Sequence, residues 1–470
     1  MGDGSRADNF DALVVWARDS PVVGHVSLLR RSRTCLLRER MRRRVSRVGS
    51  SYNVTMTTRL LTPDEAIALI PAGARVITGP CSGAPVTLLR ALAGHSSDVG
   101  GIRLYTGLQY DPSPFLPAVA AGTLGLTTWH VAGAMAELVA DRRADYIPVR
   151  LSEVPHLLAS WNLDVAIVRI TPPDRFGFCN VGPSPSYSVP AIEQVPLVIG
   201  EIDETLPRTL GQSTVHVSRF AAFVEAQQPT PEYHSSAPDA VARRIAAYVL
   251  ELLPERPTLQ MGIGTIPEAV TEALGEAGAT GLRFVGMGSD ALAGLFERGA
   301  LDITATMPNP AIIASEIMGT SVVMRFVDAN PLVGAYPSTY SHSPAVLGQL
   351  DRFVSINSAV EVDLSGQVNS EMVNGRHIAG VGGSVDYVES AFRSFGGLRV
   401  IAMTATAARG KVSRIVAQLD AGVPVTIPRT AVDAIVTEYG VARLRGRSLS
   451  QRRDSLIAIA HPDHRAGLAG

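Results

Sequence analysis

Two glycine-bearing stretches carry residue types that could do chemistry. In the first, Gly262-Ile263-Gly264-Thr265-Ile266-Pro267, an apolar strand expected over residues 258–263 turns into a helix expected from Glu268. A GxG turn at that junction lets backbone N–H groups approach a phosphate or a thioester oxygen, and the helix N-terminus adds positive potential. Close strand-to-helix packing also asks for Gly, so the turn alone leaves both readings open. The second stretch, residues 357–369 followed by Gly380-Val381-Gly382-Gly383-Ser384-Val385-Asp386, crowds amides, carboxylates and glycines between expected elements. Binding residues gather on such loops, which a purely structural turn does not require. Cys35, Cys81 and Cys179 form no CxxC pair, and a lone Cys is more often a small buried hydrophobe than a nucleophile. His130 and His377 suit polar core positions. His461 and His464 have an i, i+3 spacing compatible with a metal, but no third ligand is apparent and no metal is expected.

The whole-chain arithmetic narrows the setting for these stretches. With 470 residues, 46% hydrophobic and 18% charged, the chain holds enough apolar material for two or three cores and is no disordered solvating segment. Its 42 basic and 43 acidic side chains leave no basic footprint for phosphate contacts, so nucleic acid is excluded as an expected partner. The charge-free stretch 112–136 is interrupted by Pro114, Pro117, Gly122, Gly125 and Gly133, which suits a buried loop and strand better than a membrane span. Three cysteines give no disulfide framework, so a cytoplasmic location is expected.

The elements that must position the glycine turns recur along the chain. Residues 1–55 hold eleven Arg and no apolar signal region, and they read as an extension or a start placed upstream of Met56. Thr62-Pro63-Asp64-Glu65 is a helix-start signal. Apolar strands are expected at 75–78, 102–108, 164–170 and 195–202 and again at 258–263, 283–287, 353–357, 398–403, 425–427 and 434–437. They are nearly continuous rather than alternating, as in parallel sheets covered on both faces. The polar, Pro-bearing segment 223–238 marks a boundary. The expected architecture is α/β, two similar open α/β domains with mostly parallel sheets: 56–232, then 233–465, with a tail at 466–470.

Several long motifs carry a resemblance. Residues 260–270 (QMGIGTIPEAV), 356–371 (INSAVEVDLSGQVNSE), 379–388 (AGVGGSVDYV), 437–446 (TEYGVARLRG) and 456–465 (LIAIAHPDHR), with 61–92 and 171–182 in the first half, resemble the acetyl-CoA hydrolase/4-hydroxybutyrate CoA-transferase family. The resemblance implies a CoA-transferase-like fold, an acyl-CoA co-substrate held mainly by the second domain, a small-molecule acceptor and a homodimer. It also implies that Gly262, Ile263, Gly264, Thr265 and Ile266 line the thioester end of CoA, beside a second loop of Gly380, Gly382 and Gly383.

The chain departs from that family at one position. Relatives pass CoA through a glutamyl thioester; here the matching stretch is 282–290, Gly286 stands at the Glu position, and Asp290 is the only carboxylate between residues 277 and 296. Without the carboxylate no glutamyl-CoA can form there. The expectation is direct acyl transfer from a CoA thioester to an amine, an alcohol or water, with Gly286 and Gly288 leaving room for the acceptor. Glu316, Glu371, Asp290 and Glu268 are the candidate bases. The alternatives are an ordinary CoA-transferase or acetyl-CoA hydrolase using another carboxylate, and a family member that binds CoA without turnover.

Overall fold

The structure is a computed structural model and describes residues 59–469; the extension expected over 1–55 lies outside them. The helix-start signal forms as read: Thr62 caps the helix Pro63–Ile67 and exchanges bonds with Glu65 in a capping box. The strand Arg75–Thr78 then feeds a tight turn, Cys81–Gly83, and the helix Val86–Gly94.

Repeating this unit builds a first sheet of eight strands. Its order is Arg59–Leu60, Ala222–Glu225, Leu197–Ile202, Val165–Ile170, Arg75–Thr78, Arg103–Thr106, Gly125–Thr128 and Ala144–Tyr146, and every neighbouring pair is parallel. All six residues of Val165–Ile170 are buried, including Arg169. That guanidinium survives burial because it is fully paired: Nη2 donates to Glu201 at 2.8 Å, Nη1 to Asp203, and Nε to the Ala84 carbonyl at 3.0 Å. Glu201 also accepts from the Leu88 amide at 3.0 Å, so one ionic cluster fixes the turn after the strand Arg75–Thr78 and the helix that follows it.

A second sheet of nine strands repeats the pattern. It runs Gly440–Arg443, Ala434–Thr437, Leu398–Ala402, Phe353–Asn357, Thr258–Met261, Arg283–Gly288, Ile312–Ile317, Val333–Ala335 and Leu210–Gly211, parallel except for the terminal pair Ala434–Thr437 and Gly440–Arg443. The last strand, Leu210–Gly211, comes from the first half of the sequence and pairs with Val333–Ala335, so the chain that builds one sheet also edges the other. Residues 58–470 accordingly behave as one compact unit.

The structure corrects three details. Residues 425–427 form no strand; only Ile427 makes an isolated bridge to Val368, because Pro424 and Pro428 on either side lack the donors a ladder needs. The expected tail at 466–470 is helical as far as Ala469, within Pro462–Ala469, where Leu468 is buried in the second-half core. The helix after the GxG turn starts at Thr265, three residues before Glu268. Among the described residues, no helix is long and apolar enough to cross a membrane.

Candidate functional site

The carboxyl ends of the strands of both sheets face a cavity of about 280 Å³, where parallel sheets typically present ligand sites. Pro80, Cys81, Leu108 and Trp129 enter from the first sheet, and Gly262, Met287, Glu316 and Asn357 from the second. Cys81 holds a φ of +53°, a conformation a side chain adopts at a cost of order 1–3 kcal/mol, and its amide donates to the Leu108 carbonyl at 3.0 Å.

The two halves are tied across this cavity. Residues Arg150 and Gly382 form a parallel bridge, and the Leu151 amide donates to the Gly382 carbonyl at 3.0 Å. Next to it Ser152 donates to Asp386 from its amide at 3.1 Å and its hydroxyl at 2.7 Å. Burial raises the Asp386 carboxyl to about 6 despite those two bonds. Two glycines of the second loop are packed too closely for other residues: a Cβ at Gly380 would lie 2.6 Å from the Trp129 carbonyl, and one at Gly383 2.5 Å from His342 Nε2.

Position 286 does not offer the space expected of it. Gly286 has a φ of +101°, and a Cβ there would lie 2.7 Å from the Tyr387 hydroxyl; at Gly288 a Cβ would lie 2.7 Å from Leu292. The volume beside residue 286 is occupied by the Tyr387 phenol, which is 2.7 Å from His342 Nε2. Loss of solvent lowers His342 to about 3 and holds its imidazole neutral, while the same burial pushes the Tyr387 phenol up. A neutral, mutually hydrogen-bonded Tyr–His pair therefore fills the space that was expected to be open.

Of the acids singled out in the sequence, Glu316 alone lines the cavity. It lies on the strand Ile312–Ile317, opposite Met287 in register, and is 5% exposed. Ser186 donates to its Oε1, and desolvation raises the carboxyl to about 8 against the side-chain hydrogen bonding of Ser186, Ser184 and Cys81, which favours its charged form. Glu371 is turned away and accepts from Thr426 at 2.8 Å and Tyr146 at 3.3 Å. Asp290 accepts from the Thr320 and Val323 amides at 3.0 and 3.1 Å, serving the start of the helix Ser321–Val327. Glu268 accepts from Ser235 at the surface.

Gly262, Ile263, Gly380, Gly382 and Gly383 line the cavity, whereas Gly264, Thr265 and Ile266 stand outside its lining. His130 lines it and is lowered to about 4 by desolvation; His377 packs on Tyr146 instead. The His461 and His464 rings meet edge-on at 5.8 Å, and His464 Nε2 lies 3.1 Å from the Gly410 carbonyl. Among the described residues no group of three His, Cys, Asp or Glu is placed to hold a metal. Burial pushes the Cys81 thiol well above its ordinary range and Cys179 up to about 12, which leaves both as poor nucleophiles. Sequence reading missed Tyr387, His342 and Ser186. Tyr387 had one signal, its place one helical turn after Gly383.

Comparison with known proteins agrees with this architecture. The acetyl-CoA hydrolase/transferase N-terminal domain matches residues 42–233 and the C-terminal domain of the same name matches 319–470. The 4-hydroxybutyrate coenzyme A transferase of Clostridium kluyveri is 37% identical over 413 residues, covering 87% of this chain and 96% of that protein. The crystal structure of 4-hydroxybutyrate CoA-transferase from Porphyromonas gingivalis superposes with a TM-score of 0.72 at 31% identity, over 87% of this chain and 96% of that one. RipA from Yersinia pestis superposes with a TM-score of 0.81 at 27% identity over the same shares. Two parallel sheets meeting at one cavity, matched across most of the length of these proteins, place the chain in the acetyl-CoA hydrolase/transferase family.

Proposed function

We propose that this protein binds an acyl-CoA with its thioester in the cavity and passes the acyl group directly to an external nucleophile, with Glu316 as the base. Family membership makes it a CoA-thioester transferase or hydrolase. The finer reading rests on one observation: the cavity holds a single carboxyl, Glu316, and burial raises it to about 8. A group titrating near neutrality is suited to taking and returning a proton, because base strength and availability are then balanced.

In this mechanism the pantetheine arm reaches the glycine turn at Gly262 and the loop Gly380–Gly383, and the thioester carbonyl points toward Tyr387. The phenol, steadied by neutral His342, donates to the oxygen as negative charge develops; one such donor is worth about 10²–10³ in rate. Glu316 takes the proton of the acceptor as it attacks the carbonyl carbon, the C–S bond breaks, and the CoA thiolate leaves with that proton. Glu316→Gln is expected to lower kcat/KM about 10²–10⁴-fold and to remove the rising limb near pH 8 from the pH–rate profile. A variant that keeps the limb would contradict the assignment.

A second reading has an observation in its favour. Glu316 is itself a cavity carboxylate one strand from Gly286, so it could take CoA as a glutamyl thioester in an ordinary CoA-transferase cycle. That cycle exchanges labelled free carboxylate into acyl-CoA in the absence of a second acceptor and follows ping-pong kinetics. Direct transfer follows sequential kinetics with no such exchange.

A further inference from the structure

The amino ends of the second sheet's strands hold another cavity, of about 220 Å³, and three arginines line it. Arg283 opens the strand Arg283–Gly288, Arg352 directly precedes Phe353–Asn357, and Arg256 stands two residues before Thr258–Met261. The carboxyl ends of the same strands lead to Met287, Asn357 and Gly262 in the wall of the first cavity. The two cavities therefore lie at opposite ends of one sheet.

The two outer arginines sit on backbone that is costly to hold. Arg256 has a φ of +48° and Arg352 one of +53°, left-handed conformations that residues with a Cβ seldom adopt. Each packs against a glycine whose own φ is positive: a Cβ at Gly281 would come 2.5 Å from Arg256 Nε, and one at Gly396 3.3 Å from Arg352 Cγ. Arg283 is anchored differently. Its Nη2 donates to the Asn309 carbonyl and, at 3.3 Å, to that of Pro310, while its buried Nε has no hydrogen-bond partner among the described residues. Among those residues none of the three arginines forms an ion pair. Asp302 and Asp351 share the wall, so three Arg against two Asp leave one positive charge in excess. Asp302 is already engaged, accepting from the Thr304 hydroxyl at 2.6 Å and from its amide at 3.2 Å. Backbone strain persists where the surrounding structure imposes it, and it gathers at ligand sites.

We infer that this second cavity is an anion site that takes a small free phosphate ion, orthophosphate or pyrophosphate. Guanidinium groups present planar forks of N–H donors that match phosphate oxygens two at a time. A carboxylate offers its two oxygens to one fork, whereas a tetrahedral phosphate has oxygens for all three arginines. The volume is below the ~300–1,000 Å³ of pockets that enclose a drug-sized ligand, which suits an inorganic ion and not a nucleotide.

Calorimetry on the full chain tests this with orthophosphate, pyrophosphate, citrate and AMP, comparing wild type with Arg256→Asn and Arg352→Asn. Asn accepts the left-handed backbone, and melting temperatures without anion report whether each variant is folded. Orthophosphate or pyrophosphate should bind wild type with a Kd below about 1 mM. Each variant should bind it at least about tenfold more weakly, having lost a charge-assisted bond. Absence of binding by both ions at about 10 mM would overturn the site. Equal binding by wild type and both folded variants would overturn its location. Tighter binding of citrate or AMP that is lost in the same variants would overturn the assignment to a free phosphate ion.

Discussion

Glu316 carries a linkage that can be read without knowing the substrate. Its folded carboxyl keeps its proton to about 8, whereas the ordinary value is 4.5. The native state therefore binds more protons than the unfolded chain between those values, and wild-type stability falls as pH rises through that window. Glu316→Gln does not titrate, so its melting temperature should gain on wild type from pH 4.5 to 8 and hold that gain above; a constant difference would mean the carboxyl is not desolvated. At position 286, Gly286→Ala must place a Cβ at φ +101° and 2.7 Å from the Tyr387 hydroxyl, and should lose about 1–3 kcal/mol in urea denaturation. A neutral effect would mean the Tyr387 ring does not fill that space. The glycine at 286 was legible in the sequence, in a stretch that the family resemblance aligns with the usual Glu. What packs against it was not: Tyr387 lies 101 positions away and His342 carries no motif, so only the tertiary packing brings them to Gly286. Four acids looked alike as bases; Glu316 alone lines the cavity, while Glu371, Asp290 and Glu268 are engaged by partners elsewhere, and a sequence displays neither.

Among the elements, the parallel strands were the most readable, since runs such as Val165–Ile170 and Phe353–Asn357 are nearly unbroken in apolar residues and the sheets bury both their faces. Short strands with little apolar signal, Ala144–Tyr146 and Leu210–Gly211, were not, because pairing with a neighbour rather than composition defines them. Arg169 shows a local rule giving way to a tertiary one: a charge in the middle of a central strand is tolerated only because Glu201, Asp203 and the Ala84 carbonyl enclose it. Arg169→Ala should cost about 3–5 kcal/mol, as it leaves two buried acids without their cation. Because the same guanidinium holds the Ala84 carbonyl, catalysis should suffer as well as stability, measured as activity at a temperature where the variant is still folded. A variant with wild-type activity would show that the turn carrying Cys81 does not need this anchor.

At the scale of the molecule, a strand from the first half of the chain edges the second sheet, and the two halves are clamped at the cavity by Leu151, Ser152, Gly382 and Asp386. Ser152→Ala removes the hydroxyl bond to a carboxyl that burial already raises to about 6. The loss should be about 1–3 kcal/mol at pH 8, where Asp386 is charged, and smaller at pH 5, where it carries its proton. Equal losses at both pH values would mean the bond does not depend on the Asp386 charge. The recurring strand, turn and helix units that build the two sheets were visible in the sequence. The crossing of chain from one sheet to the edge of the other was not, since a two-residue strand leaves no pattern.

The central claim is that acyl groups leave CoA here without becoming attached to the protein, and likewise without CoA becoming attached to it. Intact-protein mass spectrometry of the full chain, quenched in acid during turnover of acetyl-CoA, addresses this most directly. The account predicts unmodified protein at every time point. A mass increase equal to CoA or to acetyl, lost in hydroxylamine and absent from Glu316→Gln, would contradict it.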